Sequence, residues 1–337
     1  MAATKTLTPG EAEALVSAAL IASNTAADNA ASVARALIAA EIDGQGGHGL
    51  SRVPSYAAQA RSGKVDGHAV PVAERAAPAV LRVDAGLGFA YPAIDLTVAH
   101  LPEIAAETGL AIAAIRRSHH FGQAGAHCER LADKGLVAFV FGNSPQAIAP
   151  WGGKRPLFGT NPIAFAAPVP DQPPLVIDFA VSRVARGKIM AADKAGTAIP
   201  EGWALDPQGR PTTDTRAALA GTMIPIGEAK GAALALMVEV MSAALVGASL
   251  AFEASSLFTG EGAPPDLGQT VLAIDPGRVS AGAYGARVTT LVSAIAAEEG
   301  ARLPGSRRLE ARARAARDGI AVPAPLHAEI AALAGAG

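Results

Sequence analysis

The sequence predicts an α/β fold with a mixed sheet, and three observations carry that expectation. Apolar residues recur at helical spacing through the first hundred or so positions, short apolar runs bounded by Gly and Pro follow, and half of the 337 residues are hydrophobic, enough for a large core. This length suits two domains or one domain with a substantial insertion. Helices are expected at 9–22 and 26–42, the latter with Ala, Val, Leu and Ile at helical spacing behind Thr25, read as a cap, and Asp28, a first-turn acid. A helix at 52–62 takes Ser51 as its cap and holds Pro54 in its first turn, where backbone donors are free. Another helix covers 91–108, a strand covers Leu110–Ile115, and the loop Arg116–Gly125 leads into a helix ending around Lys134. Leu136–Phe141 reads as a strand, and the Pro-, Gly- and Asn-rich stretch Asn143–Thr160 as loop. Strands are expected at Ile163–Ala167 and Leu175–Ile177, then a polar loop Pro200–Asp214 and an almost continuously apolar helix, Gly231–Phe252. A strand near Val271–Ile274, a helix Ala281–Glu298 and a C-terminal helical region broken by Pro304, Pro323 and Pro325 complete the chain.

Composition narrows the function. The net charge is −2 and there is no basic stripe with interleaved aromatics, which argues against a nucleic-acid partner. The single cysteine, Cys128, rules out an internal disulfide framework and fits a reducing cytoplasm. Met1–Glu11 has no apolar signal core. Gly231–Phe252 resembles a membrane span, but Glu239 lies near its middle and no second span exists; a helix in a soluble core or a dimer interface is expected instead.

The chemistry concentrates in Asp43-Gly44-Gln45-Gly46-Gly47-His48-Gly49-Leu50-Ser51-Arg52. His48 can give or take a proton near neutrality, and Arg52 can fork onto a carboxylate, among glycines that admit a ligand closely. Gly44-x-Gly46-x-x-Gly49 matches the dinucleotide fingerprint letter by letter, but a helix precedes it where a strand is required, so an ordinary Rossmann site is rejected in favour of a helix-loop-helix corner. Ser118-His119-His120-Phe121-Gly122 lies where a strand runs into a loop; adjacent histidines diverge in extended backbone, so one faces a ligand and the other packs. His119, His120, His127 and Cys128 match no zinc spacing, and no metal is expected. Thr160 and Asn161 offer polar groups at the mouth of a turn made by Gly159 and Pro162.

Eight motifs occur in an order that resembles one family. They are His48-Gly49-x-Ser51-Arg52, Ser118-His119-His120-Phe121, Pro156-Leu157-Phe158-Gly159-Thr160-Asn161-Pro162, Val184-Ala185-Arg186-Gly187-Lys188, Pro200-Glu201-Gly202-Trp203-Ala204-Leu205-Asp206, Pro211-Thr212-Thr213-Asp214, Lys230-Gly231 and Arg302-Leu303-Pro304-Gly305-Ser306-Arg307-Arg308. The sequence is similar to the malate/L-lactate dehydrogenase family of non-Rossmann NAD(P)-dependent oxidoreductases. The resemblance implies that His48 donates the proton to the substrate oxygen or nitrogen, Arg52 clamps the substrate carboxylate, and Thr160 lies close to both cofactor and substrate. It places the NAD(P) cofactor, NADP slightly favoured, against His120, Phe121, Gly122, Gln123 and Ala124, against Asp178, Phe179 and Ala180, against Ala229 and Lys230, and against Arg302, Arg307 and Arg308. Lys230 ahead of a long helix, and arginines able to hold a pyrophosphate or 2′-phosphate, agree with it physically.

Two departures bear on the substrate. The family's cyclic ketimine reductases carry a serine before the histidine and an aspartate at the position of Lys188; here Gly47 and Lys188 stand there. A cation at Lys188 is expected to act in the catalytic group, to lower the pKa of His48 and to favour a small anionic hydroxy or oxo acid, (2R)-3-sulfolactate first and malate next, over an iminium. The resemblance further implies a homodimer. Its expected domains are a helical substrate and dimerisation domain, 1–75 with 275–337, and a non-Rossmann NAD(P)-binding domain, 76–274.

Overall fold

The computed structural model describes residues 3–335, so residues 1–2 and 336–337 at the edges of the expected helical domain lie outside the described residues. The chain opens with strand β1 (Thr4–Leu7) and helices α1 (Pro9–Ile21), α2 (Ala27–Ile42) and α3 (Val53–Ser62). Thr8 and Glu11 cap α1 reciprocally, the Thr8 hydroxyl accepting from the Glu11 N–H while the Glu11 carboxylate accepts from the Thr8 N–H. Thr25 does not cap α2, whose N-cap is Ala26, and Ser51 does not cap α3, whose N-cap is Arg52 without a side-chain bond. The Ser51 hydroxyl donates instead to the Gly46 carbonyl, 2.6 Å away, because two short 3₁₀ turns at 46–48 and 50–52 fold the loop back on itself.

Strands β2 (Val72–Ala77) and β3 (Val80–Asp84) lead to α4 (Ala90–Thr108), β4 (Leu110–Ser118), α5 (Ala124–Ala132), β5 (Val137–Gly142), β6 (Ile163–Val169) and β7 (Gln172–Phe179). Helix α6 (Arg186–Ala195), the short strands β8 (Ala204–Leu205) and β9 (Pro211–Thr212), helix α7 (Thr215–Ala220) and strand β10 (Thr222–Met223) precede α8 (Ala229–Glu239). The chain continues through β11 (Leu267–Ile274), α9 (Pro276–Val279), α10 (Tyr284–Ala297), α11 (Ser306–Asp318), β12 (Ile320–Pro323) and α12 (Ala324–Ala334).

The main sheet runs β2-β3-β4-β11-β5-β6-β7 and is mixed: β3 and β4 are parallel, joined by the α4 crossover, and the other pairs are antiparallel. Three cores result. One lies on the main sheet, from Leu81 to Val176 with Val271 and Ala273. A second gathers α1, α2, α3 and the segments around Phe89, Tyr91 and 315–330. A third surrounds the small sheet of β8, β9 and β10 with α6 and Ala235.

Several elements differ from expectation. The strand at 110 extends to Ser118, and the one at 172 is longer than Leu175–Ile177, because partner strands continue the ladder past the apolar runs. The apolar stretch does not stay helical to Phe252: α8 ends at Glu239, a π-turn covers Val240–Ala244, and Gly247 takes φ +74. Among the described residues no helix is long and apolar enough to cross a membrane. Helix α10 starts at Tyr284 rather than Ala281, which takes φ +51. Pro325 opens α12 in its first turn rather than breaking it. The polar loop 200–214 holds β8 and β9, whose two-residue ladders leave too short a pattern to read.

Candidate active site

The corner between α2 and α3 is shaped from beneath by Glu41, whose carboxylate accepts the Leu50 N–H at 2.8 Å. A Cβ on Gly49 would stand 2.2 Å from the Glu41 carboxylate, so glycine there follows from close approach. The His48 N–H donates to the Gln45 carbonyl at 2.7 Å, and Arg52 Nε donates to the Gly47 carbonyl at 2.7 Å. The Arg52 guanidinium lies over the Phe258 ring, 4.7 Å from its centroid, and its Nη1 is buried with no partner. A buried donor without an acceptor is costly, so this guanidinium suits a carboxylate ligand.

His48 is joined to the 118–122 loop. Its Nδ1 lies 3.3 Å from His120 Nε2, and His120 Nδ1 lies 2.5 Å from Tyr56 Oη. His119 points elsewhere, its Nε2 2.9 Å from Gln59 Oε1 and its ring edge-on to Tyr56 and Phe89. Of the adjacent pair, His120 therefore reaches His48 and His119 packs. Burial and the Arg52 cation lower the His48 pKa to about 4, so the ring is neutral at neutral pH and ready to accept a proton. The cation acting on it is Arg52; Lys188 is exposed on α6 and is not among the groups that shift it, a correction to the sequence expectation that follows from α6 packing against the third core.

Thr160 belongs to a loop held from α8. Its N–H donates to Ser144 Oγ at 3.0 Å, and the two hydroxyls are 3.2 Å apart. Next to it, Asn161 takes φ +41 and donates to Glu239 at 2.8 Å, while Glu239 also accepts from the Ala251 N–H at 2.6 Å and from Asn143 at 3.3 Å. The carboxylate in the apolar helix is thus the post on which the Thr160 loop is fixed.

Three of the four segments expected at the cofactor converge. The Asp178 carboxylate accepts the Gly125 N–H at the start of α5, 2.7 Å away, tying 178–180 to 120–124. A Cβ on Gly305 would stand 3.2 Å from the Val176 carbonyl, which sets the 302–308 turn against β7. Within these segments, Phe121 is buried in the sheet core and Gly122 takes φ +68 with Tyr91 Oη against it, whereas Phe179 is exposed at the end of β7 and Ala180, just beyond it, is half-buried. Gln123 Nε2 donates to Asp43 at 2.9 Å, while its Oε1 is buried with no partner, and Ala124 opens α5. Ala229 and Lys230 sit exposed at the start of α8, apart from these three in the contacts described.

The arginines divide. Arg302 and Arg307 are exposed and form no ion pair among the described residues. Arg308 is 7% exposed and donates to Glu129 at 2.8 Å, so its guanidinium is committed to a buried pair and is a poor candidate for reading a 2′-phosphate. Glu129 also accepts from Arg312, which grips Asp43 with two donors at 2.6 and 2.8 Å. This clasp ties α11 to the 43–52 corner through Glu129 and Arg312, which no sequence motif marked. Tyr56 and Tyr91 were equally unmarked, although the chain has only three tyrosines and two of them stand here; that scarcity was the available signal.

The profile of the malate/L-lactate dehydrogenase family matches residues 7–331. The chain belongs to that family. It is 56% identical over 298 residues to a (2R)-3-sulfolactate dehydrogenase (NADP(+)) of Chromohalobacter salexigens, covering 88% of this chain and 89% of that protein. It is 45% identical over 304 residues to a Δ1-pyrroline-2-carboxylate/Δ1-piperideine-2-carboxylate reductase of Pseudomonas aeruginosa, covering 89% and 91%. The crystal structure of the Δ1-piperideine-2-carboxylate reductase of Pseudomonas syringae superposes with a TM-score of 0.92 at 37% identity over 98% of this chain and all of that one. The sulfolactate dehydrogenase of Methanocaldococcus jannaschii gives 0.88 at 27% identity, covering 98% and 96%. Among the described residues no cluster of three or more His, Cys, Asp or Glu could hold a metal ion.

The buried histidines also set how this dehydrogenase-family fold responds to acid. Burial lowers His119 to about 3 and His127 to about 4 from an ordinary 6.5. Between pH 6 and pH 4 the unfolded chain binds protons at these rings that the folded chain excludes, so stability falls as pH falls, by up to about 1.4 kcal/mol per pH unit and ring. Urea titrations at pH 7 and pH 5 check this; the midpoint is expected to drop at pH 5, and equal midpoints would refute it.

Proposed function

We propose that the chain is an NADP(+)-linked 2-hydroxy-acid dehydrogenase acting on a small acid with two negative groups, (2R)-3-sulfolactate first and malate next. The observation that carries this reading is the half-buried Arg52 guanidinium, whose Nη1 is buried and unpartnered, four residues from a neutral His48. The 56% identity to a sulfolactate dehydrogenase supports the choice of acid. In the oxidising direction His48 Nε2 takes the hydroxyl proton, since Nδ1 is engaged by His120, while Arg52 holds the carboxylate and Thr160 lies at the second side of the substrate. When bound, the nicotinamide cofactor supplies the hydride acceptor. The residues fit such a group: Asp178 ties 120–124 to 178–180, the 302–308 turn packs on β7 beside them, and Arg302 and Arg307 are exposed cations of that turn available to phosphates.

The same reading includes a two-domain division, 1–75 with 275–337 against 76–274, a cytoplasmic setting supported by the lone buried Cys128, and a homodimer. The dimer is supported by Leu236, Met237, Val240 and Leu245, which project from α8 and its continuation at 41–56% exposure.

A cyclic ketimine reductase is the second reading, favoured by the 45% identity and by the 0.92 superposition. Lys188 separates the two. Lys188→Asp is expected to lower kcat/KM on sulfolactate and malate up to about fivefold more than on lactate, the range of an exposed charge pair. Assays of both proteins on these acids and on pyrroline-2-carboxylate, with NAD and NADP, decide it. Equal losses on all acids would remove Lys188 from the substrate site, and wild-type turnover of pyrroline-2-carboxylate alone would establish the reductase.

A further inference from the structure

A hydrogen-bonded file leads away from His48 into the protein. His48 Nδ1 is 3.3 Å from His120 Nε2, with the two ring planes within 14° of parallel and centroids 5.2 Å apart. His120 Nδ1 is 2.5 Å from Tyr56 Oη, and Tyr56 Oη is 3.1 Å from Tyr91 Oη. His120, Tyr56 and Tyr91 are all buried, at 8%, 0% and 2% exposure. Tyr91 then borders an open cavity of about 430 Å³ between α2, α4 and α5, whose wall includes Ser32, Arg35, Asp95, Gln123 and His127. His127 Nδ1 and Gln123 Oε1 are buried there without partners, and Asp95 is held by Arg35 and Arg130. Gly122 is what admits the Tyr91 hydroxyl: a Cβ there would stand 2.6 Å from it.

We propose that His120, Tyr56 and Tyr91 form a proton path that connects His48 to this second cavity, so that the proton of the reaction enters and leaves without crossing the mouth closed by substrate and cofactor. The inference rests on His48 as the group that exchanges the substrate proton. In the oxidising direction the file starts with His48 Nδ1–H donating to His120 Nε2, His120 Nδ1–H to Tyr56, Tyr56 O–H to Tyr91, and Tyr91 O–H to solvent in the cavity. The substrate hydroxyl proton binds His48 Nε2 and the hydride leaves to the nicotinamide. Each proton in the file then moves one place, and one proton emerges beyond Tyr91. Every group ends neutral with its bonding polarity reversed, which is the arrangement needed to give a proton to the 2-oxo acid in the reverse reaction. Burial raises Tyr56 to about 12, so the phenols relay through O–H groups and do not rest as phenolates. Tyr56 and Tyr91 are positioning and relay residues; within the file only His48 meets the substrate.

Tyr56→Phe and Tyr91→Phe keep the rings and remove the file. The enzyme is followed with NADP(+) and whichever acid of the panel it oxidises fastest, recording NADPH absorbance and a pH-indicator dye together in weak buffer. In the wild type, proton release is expected to keep pace with NADPH formation. In Tyr91→Phe, it is expected to lag NADPH formation, with kcat down about tenfold, short of the 10²–10⁴ of a group that itself moves the reacting proton, and with KM and cofactor affinity unchanged. A second readout needs no turnover: ¹⁵N-histidine NMR of the free Tyr56→Phe protein is expected to show a changed tautomer at His120, whose Nδ1 has lost its acceptor. Unchanged release kinetics and kcat in both variants, or an unchanged His120 tautomer, overturns the path. Full activity of His48→Ala would instead bring down the assignment of His48, a separate result.

Discussion

His48→Ala is expected to lower kcat by about 10²–10⁴ while leaving the affinity for NADP nearly intact. The size follows from what the ring does: it is held by the Gln45 carbonyl through its backbone and by His120 through Nδ1, leaving Nε2 as the proton acceptor in a site from which burial and Arg52 have removed the charged form. The segments expected to bind the cofactor are fixed by Asp178, Gly125 and the 302–308 turn, none of which depends on this side chain. Because the neutral ring is the active form in oxidation, kcat/KM for the hydroxy acid should rise with pH through about 4 and lie flat above, rather than turning near the ordinary 6.5. Steady-state kinetics with a cofactor titration measure both quantities. Near-full activity in the variant would mean that another group moves the proton.

Arg52→Lys is expected to raise KM for the acid by about 10- to 100-fold, the equivalent of losing a charge-assisted hydrogen bond worth about 1.5–3 kcal/mol. The guanidinium uses Nε on the Gly47 carbonyl and its face on Phe258, and still has Nη1 buried and unpaired. An ammonium cannot hold the loop carbonyl and a carboxylate in one plane. Cofactor affinity should not change. A fall in cofactor affinity with an unchanged KM would make Arg52 a phosphate contact instead.

How far the residues alone led depended on how local each feature was. The corner at 43–52 was legible because glycines, a histidine and an arginine within ten positions leave few alternatives, and the false dinucleotide fingerprint fell to the helix in front of it. The long helices were legible from period alone. Strands β1, β2, β3 and β12 were not, because β2 is nearly all exposed and β1 with β12 forms a two-stranded ladder between distant segments. The ends of the apolar stretch were misjudged since hydropathy does not mark where a π-turn and Gly247 stop a helix. Arg308 read as a free cation, yet its partner Glu129 lies 179 residues away and carries no motif. The same holds for Arg312 with Asp43 and for Tyr56 with His120: each pairing exists only in three dimensions.

The ladder between Thr4–Leu7 and Ile320–Pro323 has a consequence for synthesis. Leu7, Ile320, Val322 and Ile330 enter the same core as Leu50, Val53 and Tyr56, the residues that seat His48 and Arg52. On the ribosome, α1, α2 and α3 emerge early and can pack on one another, but the side of their core that Ile320, Val322 and Ile330 cover stays open until those residues are made, after β11 has completed the main sheet. A nascent chain stalled short of Ile320 is therefore expected to carry a folded sheet and a 43–52 corner whose underlying core is incompletely covered.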